Sequence, residues 1–176
     1  MATIQIADND ARVQYTQAVT ANSTTLTIDF PFFDLDDIKV IVTTSAGVDT
    51  TLTRGSGTGT FAVNGTAVDD GFSGGNITLG DSYDNTHTYT IFRDITIQRT
   101  TDFPTSGPFN IASLNTELDK LTAITQQNNN NFERSVKLTD SDATVSLTIP
   151  DASTRPNKYL GFDGAGNLAA LSGTGA

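Results

Sequence analysis

The only abundant reactive groups in this chain are carboxylates: 18 Asp and two Glu stand against 10 basic residues among 176, for a formal charge of −10. Asp36-Asp37 and Asp69-Asp70 are adjacent pairs, and Asp81 stands close to Asp84. Two carboxyls opposed across a groove at roughly 5 to 9 Å can cleave a glycosidic bond. Adjacency in sequence does not set that separation, and all of these residues lie in turn-like stretches, where Asp bonds its own backbone. Asp8-Asn9-Asp10 and Asp140-Ser141-Asp142 offer oxygen ligands for calcium, but neither carries the Gly and distal Glu of an EF-hand loop. The single histidine, His87, lies between Thr86 and Thr88 with no carboxylate-spaced partner, and reads as an exposed residue at a strand entrance. Zero cysteines exclude disulfides, thiolate metal sites and cysteine catalysis. Gly55-Ser56-Gly57-Thr58-Gly59 lacks the Lys-Ser/Thr of a phosphate loop and leads into a strand, so it reads as a flexible hairpin loop. The expectation is a chain with no catalytic, cofactor-binding or metal-binding residues, and no enzyme.

The elements that position these residues follow from composition. Thr, Ser, Asn and Gly make up 70 of the 176 residues, 30 of them Thr. Branched Thr favours strands, while Asp, Asn and Gly favour turns. The length suits one ordinary domain with a small second element. A pI near 4.2 argues against nucleic acid, whose phosphates are held by Lys and Arg, and against an anionic membrane surface. No apolar run approaches the ~20 residues of a membrane span, and the N-terminus lacks the pattern of a signal peptide.

Period-two alternation predicts strands at Leu26 to Phe30 and Ile38 to Val42, with shorter ones at Thr50 to Thr53, Thr60 to Val63, Asn76 to Leu79 and Thr88 to Arg93. Ala46-Gly47, Asn64-Gly65, Gly74-Gly75 and Gly80-Asp81 read as the turns between them. Together they predict an antiparallel β-sandwich over about residues 10 to 105. Beyond Pro150, Tyr159 to Phe162 and Leu168 to Leu171 flank a glycine-rich turn and predict a hairpin, and Val145 to Ile149 alternates as a further strand. Ser172 to Ala176 reads as a linker into further protein.

Between Pro108 and Pro150 there is neither Gly nor Pro, and the period changes. Ile111, Leu114, Leu118, Leu121, Thr125, Asn128, Phe132 and Ser135 recur at spacings of 3 and 4, a heptad seam on a helix of ~24 residues. Asn110 or Ser113 supplies the N-cap. The seam predicts either a coiled coil or a helix whose leucines pack on the chain's own sheet. Past Thr125 it turns polar, ending in the run Asn128 to Asn131.

One series of segments is more specific. Asp29-Phe30-Pro31-Phe32-Phe33-Asp34-Leu35-Asp36-Asp37-Ile38-Lys39-Val40 is followed by Phe61 to Gly65, Gly74 to Leu79, Tyr89 to Ile95, Gln98 to Phe103 and Leu114 to Leu121, with Gln126-Gln127 and Arg134 behind. The series resembles the N-terminal virion-anchoring domain of tail fibres and tailspikes from short-tailed (podovirus-type) bacteriophages, over roughly residues 12 to 138. It departs from the family pattern at Thr60-Phe61 and at the four-Asn run. The resemblance implies a β-sandwich anchor domain at 1–108, a helical stalk at 109–137 that trimerises as a coiled coil, and the β-rich start of a fibre shaft at 138–176. It implies a structural virion protein of the phage tail, made in the host cytoplasm and taking part in host attachment. Its partners would be two copies of itself, an adaptor, nozzle or portal-proximal protein, and a distal receptor-binding region. The trimer interface would be Ile111, Leu114, Leu118, Leu121, Thr125, Asn128 and Phe132. Nucleic acid and membrane are not expected partners, and no cofactor is expected. The alternative from another class is a carbohydrate-binding β-sandwich that contacts the host surface directly, for which exposed aromatic rings would be needed.

Overall fold

The computed structural model describes residues 4, 6, 10–98, 110–139, 141 and 145–173. Most of the two candidate calcium motifs (Asp8, Asn9, Asp140 and Asp142), together with Arg99 to Phe103 and Thr174 to Ala176, lies outside the described residues. Contacts divide the chain into two units, Met1–Asn131 and Phe132–Ala176.

The first unit is mainly β with one helix. Its strands are β1 (Arg12–Thr16), β2 (Thr25–Ile28), β3 (Ile38–Thr43), β4 (Asp49–Arg54), β5 (Thr60–Val68), β6 (Gly71–Leu79) and β7 (Thr88–Arg93), followed by α1 (Ile111–Glu133). They form one seven-stranded sheet in the order β1-β7-β3-β4-β5-β6-β2. Period-two burial carries Leu26, Ile28, Ile38, Val40 and Val42 inward, where they meet Phe30, Phe32, Phe61, Ile77, Leu79, Tyr89 and Ile91 in one core. The edge strands approach each other: the Tyr15 hydroxyl on β1 donates to the Thr27 carbonyl on β2 at 3.0 Å. The sheet therefore curls nearly closed, barrel-like.

Connectivity departs from the all-antiparallel expectation at one place. β4 and β5 are parallel, joined only by Thr53 opposite Thr60 and Arg54 opposite Phe61. The loop from Gly55 to Gly59 is thus no hairpin; the chain steps sideways and runs on in the same direction. It is held in place, with Gly59 N–H donating to Asp81 at 2.6 Å and the Thr60 hydroxyl donating to the Gly57 carbonyl at 2.7 Å.

Two expected turns are also strand interior. Asn64 pairs with Asn76 and Gly65 with Gly75 in the β5–β6 ladder, and the chain reverses at Asp69-Asp70 instead. The glycines serve close approach rather than turning. The Phe72 ring, stacked on Phe32 at 4.9 Å, occupies the space a Gly65 side chain would need. A Cβ on Gly75 would overlap the Asn64 carbonyl and lie 2.9 Å from the Gly65 Cα. β1 was not among the expected strands, although Arg12-Val13-Gln14-Tyr15-Thr16 alternates polar and apolar residues.

The helix begins at the expected place. Asn110 is its cap, with Oδ1 accepting from the Ala112 and Ser113 N–H groups at 3.1 and 3.3 Å. It is not long and apolar enough to cross a membrane.

In the second unit, β8 (Tyr159–Phe162) and β9 (Leu168–Leu171) form the expected hairpin, with Asp163 Oδ1 accepting from Ala165 and Asn167 N–H and Gly166 in the left-handed region at φ +83. Those two N–H bonds help hold the Asp163 carboxyl below the usual carboxylate range. Val145 to Ile149 is not a strand; it touches β9 through a single backbone bond, Leu168 N–H to the Ser146 carbonyl at 2.8 Å.

Gly75→Ala tests the glycine ladder. Overpacking against backbone should lower stability by roughly 1–3 kcal/mol, read as a lower urea midpoint at unchanged slope; an unchanged midpoint would contradict the close approach.

Candidate functional site

Several of the acidic residues are held by local turns. Asp37 closes a 3₁₀ turn at Leu35–Asp37, accepting from the Phe33 and Asp34 N–H groups at 3.1 and 2.9 Å. Burial pushes its carboxyl above the usual range, against those two bonds. Asp36 pairs with Arg54 on the surface, and that bond lowers its pKa. Asp34, Asp36, Asp37, Asp70, Lys39 and Lys120 line an open cleft of about 460 Å³ beside the helix. Among the described residues no three His, Asp or Glu side chains gather as a metal-binding group.

His87 does have a carboxylate partner. Its Nδ1 lies 2.8 Å from Asp84 Oδ1, which also accepts from the Thr86 N–H and hydroxyl. The hydroxyl and amide of Thr86, then His87, hold Asp84 down at about 2. The pairing arises because the turn folds position i+3 back over Asp84, a geometry that spacing alone does not announce. It forms a capped turn at the entrance to β7.

The distinctive geometry is on α1. Ordinarily the apolar stripe of a surface helix faces the core. Here the polar stripe does. Thr116, Ala123, Gln127 and Asn130 recur at spacings of 7, 4 and 3, and all four meet the β unit or are buried against it. Thr116 donates to Asp70 at 3.3 Å and Asn130 to Asp10 at 2.7 Å. Gln127 is docked like a base pair on the segment after β7: its Oε1 accepts the Ile95 N–H at 2.7 Å, and its Nε2 donates to the Ile95 carbonyl at 3.4 Å and to Asp94 at 3.2 Å.

Arg93, the last residue of β7, completes the clamp. Only 2% exposed, it donates through Nη1 to the Pro31 carbonyl at 2.6 Å and through Nη2 to the Ala123 carbonyl at 3.3 Å and Gln126 Oε1 at 3.1 Å. Its Nε is buried without a hydrogen-bond partner among the described residues. Burial lowers its pKa, opposed by the Asp37 charge, though a guanidinium remains charged throughout the working range. Ala123 is fully buried, and its carbonyl is one of the acceptors of Arg93.

The heptad seam is left on the other side. Ile111, Leu118 and Leu121 are 67%, 51% and 60% exposed, Thr125, Asn128 and Phe132 are exposed too, and Leu114 is half-buried. The leucines therefore do not pack into the chain's own core. With Ile97 and Ile124, Leu114, Leu118 and Leu121 line an apolar groove of about 410 Å³. Sequence reasoning singled out the seam and missed the clamp. Its signal was the second, polar heptad, out of phase with the first by two residues.

Neither the scan against protein-family models nor the search of curated proteins finds a match to this chain.

Gln127→Leu tests the clamp. It leaves the buried Ile95 N–H without an acceptor, so unfolding free energy should fall by about 1–3 kcal/mol, with faster amide exchange along Ile111–Glu133 than in the first unit's strands; equal exchange would show that the helix is held by something else.

Proposed function

We propose that this chain is the virion-anchoring root of a bacteriophage tail fibre or tailspike: a β-rich head that docks on the tail, joined to a helix that gathers three copies. The observation that carries the reading is the inverted helix, which commits its polar stripe to its own head and leaves Ile111, Leu118 and Leu121 uncovered. A threefold coiled coil would cover them, Leu114 and Leu118 near the axis and Asn128 meeting its two copies where amide hydrogen bonds can be exchanged. The ordered series of motifs from Asp29 to Arg134 supports the tail-fibre family in particular, including a two-layered, sandwich-like reading of the head. The carbohydrate-binding alternative draws less support, because Phe30, Phe32, Phe61 and Tyr89 are core residues in the head and are not offered as stacking platforms.

Light scattering of the chain tests the assembly: a trimer is expected, and Leu118→Asp should return it to monomer, since three carboxylates are not buried together cheaply. Each Leu buried is worth roughly 1.5–3 kcal/mol, so a wild-type monomer at high concentration would overturn the stalk. Docking has its own readout. Given its charge of −10, the chain should bind fibreless phage tails through a basic patch and bind them more weakly as salt rises; absence of binding to tails would remove the anchor.

A further inference from the structure

We infer that the open edge of β5 is a strand-addition site, which takes up an extended segment of another protein as one more strand of the sheet. β4 covers that edge only at Thr53 opposite Thr60 and Arg54 opposite Phe61, while β5 runs on to Val68. Two bonds fix the direction of the backbone groups there. The Thr60 carbonyl accepts from the Gly80 N–H on the β6 side, and the Phe61 carbonyl accepts from the Gly55 N–H on the β4 side. Successive residues of an antiparallel ladder alternate in this way. Ala62 and Asn64 therefore turn their N–H and C=O toward Thr78 and Asn76, and Val63 and Gly65 turn theirs away from β6. None of those outward groups has a hydrogen-bond partner among the described residues.

Backbone geometry specifies the occupant. Paired N–H and C=O groups repeating about every 7 Å along an extended strand are matched by another extended strand. Ala62 to Thr66 carries neither a charge nor a proline, the devices that ordinarily blunt an edge. Side chains narrow the fit. Val63 and the Phe72 ring, which fills the space of a Gly65 side chain, are half-buried and border the edge on one face. Ala62, Asn64 and Thr66 are exposed on the other. A fitting segment has apolar residues opposite Val63 and Gly65 and a polar one between them. Charge sets its end. Met1–Asn131 carries six basic and fifteen acidic residues, net −9, and β5 leads into Asp69 and Asp70. An antiparallel segment brings its N-terminus toward those two residues, so a Lys there is attracted and a Glu repelled. Such pairing goes beyond the anchor reading, since it needs only the first unit's sheet and holds whether or not three helices gather.

Amide exchange of the full chain, followed residue by residue, supplies the test. In the free chain Val63 and Gly65 should exchange readily and Ala62 and Asn64 slowly. Slow exchange at Val63 and Gly65 without added peptide would mean that the edge is already covered, and would overturn the site. The probe is the acetylated, amidated peptide Lys-Thr-Val-Thr-Val-Thr. At about 1 mM it should slow exchange at Val63 and Gly65 about tenfold, the effect of a dissociation constant of ~0.1 mM. The same peptide with Pro in place of both Val lacks the pairing N–H groups and should slow neither amide. With Glu in place of Lys the slowing should be smaller. No slowing by the first peptide, or equal slowing by all three, overturns the site. Val63→Pro removes one outward donor and no bond to β6, so the first peptide should then leave Gly65 exchange unchanged while Ala62 and Asn64 stay protected. If that variant unfolds, the three peptides on the unaltered chain decide the matter alone.

Discussion

The buried guanidinium of Arg93 is the constraint on which the first unit depends. It sits at the end of β7 with three acceptors, and two of them belong to the helix. Those bonds are directional, so they fix the helix's rotation about its own axis as well as its position. Gln127 adds a two-pronged grip on the Ile95 peptide one turn on. With rotation fixed, the fate of every other helix residue follows from its phase. Ala123 is buried on the clamped side, and Leu118 and Leu121, half a turn away, face outward.

The sheet has to present its end rigidly for that clamp to work. Pro31, one acceptor of Arg93, lies between Phe30 and Phe32, both fully inside the core. Phe32 exchanges two backbone bonds with Phe72 at 3.0 and 2.8 Å, and Phe72 in turn needs the bare backbone of Gly65 to lie flat. A glycine in the β5–β6 ladder thus helps fix the carbonyl that holds the arginine that orients the helix. The decisive steps, Phe32 to Phe72 and Pro31 to Arg93, join residues far apart in sequence.

That distance explains what could and could not be read in advance. The edges of β7, the start of the helix and the β8–β9 hairpin were legible because each is a local pattern: period two, a cap followed by period 3.5, or two apolar runs around a glycine turn. The heptad seam was legible for the same reason. The parallel step from β4 to β5 and the glycines inside a ladder were not, since each depends on what lies opposite. Val145 to Ile149 alternates as well as any strand here, yet only one of its backbone bonds reaches β9, which shows that alternation states a preference and pairing decides it. Arg93 and Gln127 are ordinary polar residues in sequence and become decisive only when they are buried together.

The clamp also sets an energetic question that bears on the proposed assembly. If the helix were turned to bury Leu118 and Leu121 against the head, each would gain roughly 1.5–3 kcal/mol. The turn would strip Arg93 of two acceptors while leaving it buried, and removing the partners of a buried charge costs about 3–5 kcal/mol. It would also orphan the Ile95 peptide, at about 1–3 kcal/mol. The two sides are comparable, and directional bonding tips the single chain toward exposed leucines. An exposed row so close to balance carries a standing cost to the isolated chain, one that disappears once a surface of matching periodicity covers it. A second copy of the same row has that periodicity by construction, and so the polar clamp, by denying the leucines to their own head, makes them available to another chain.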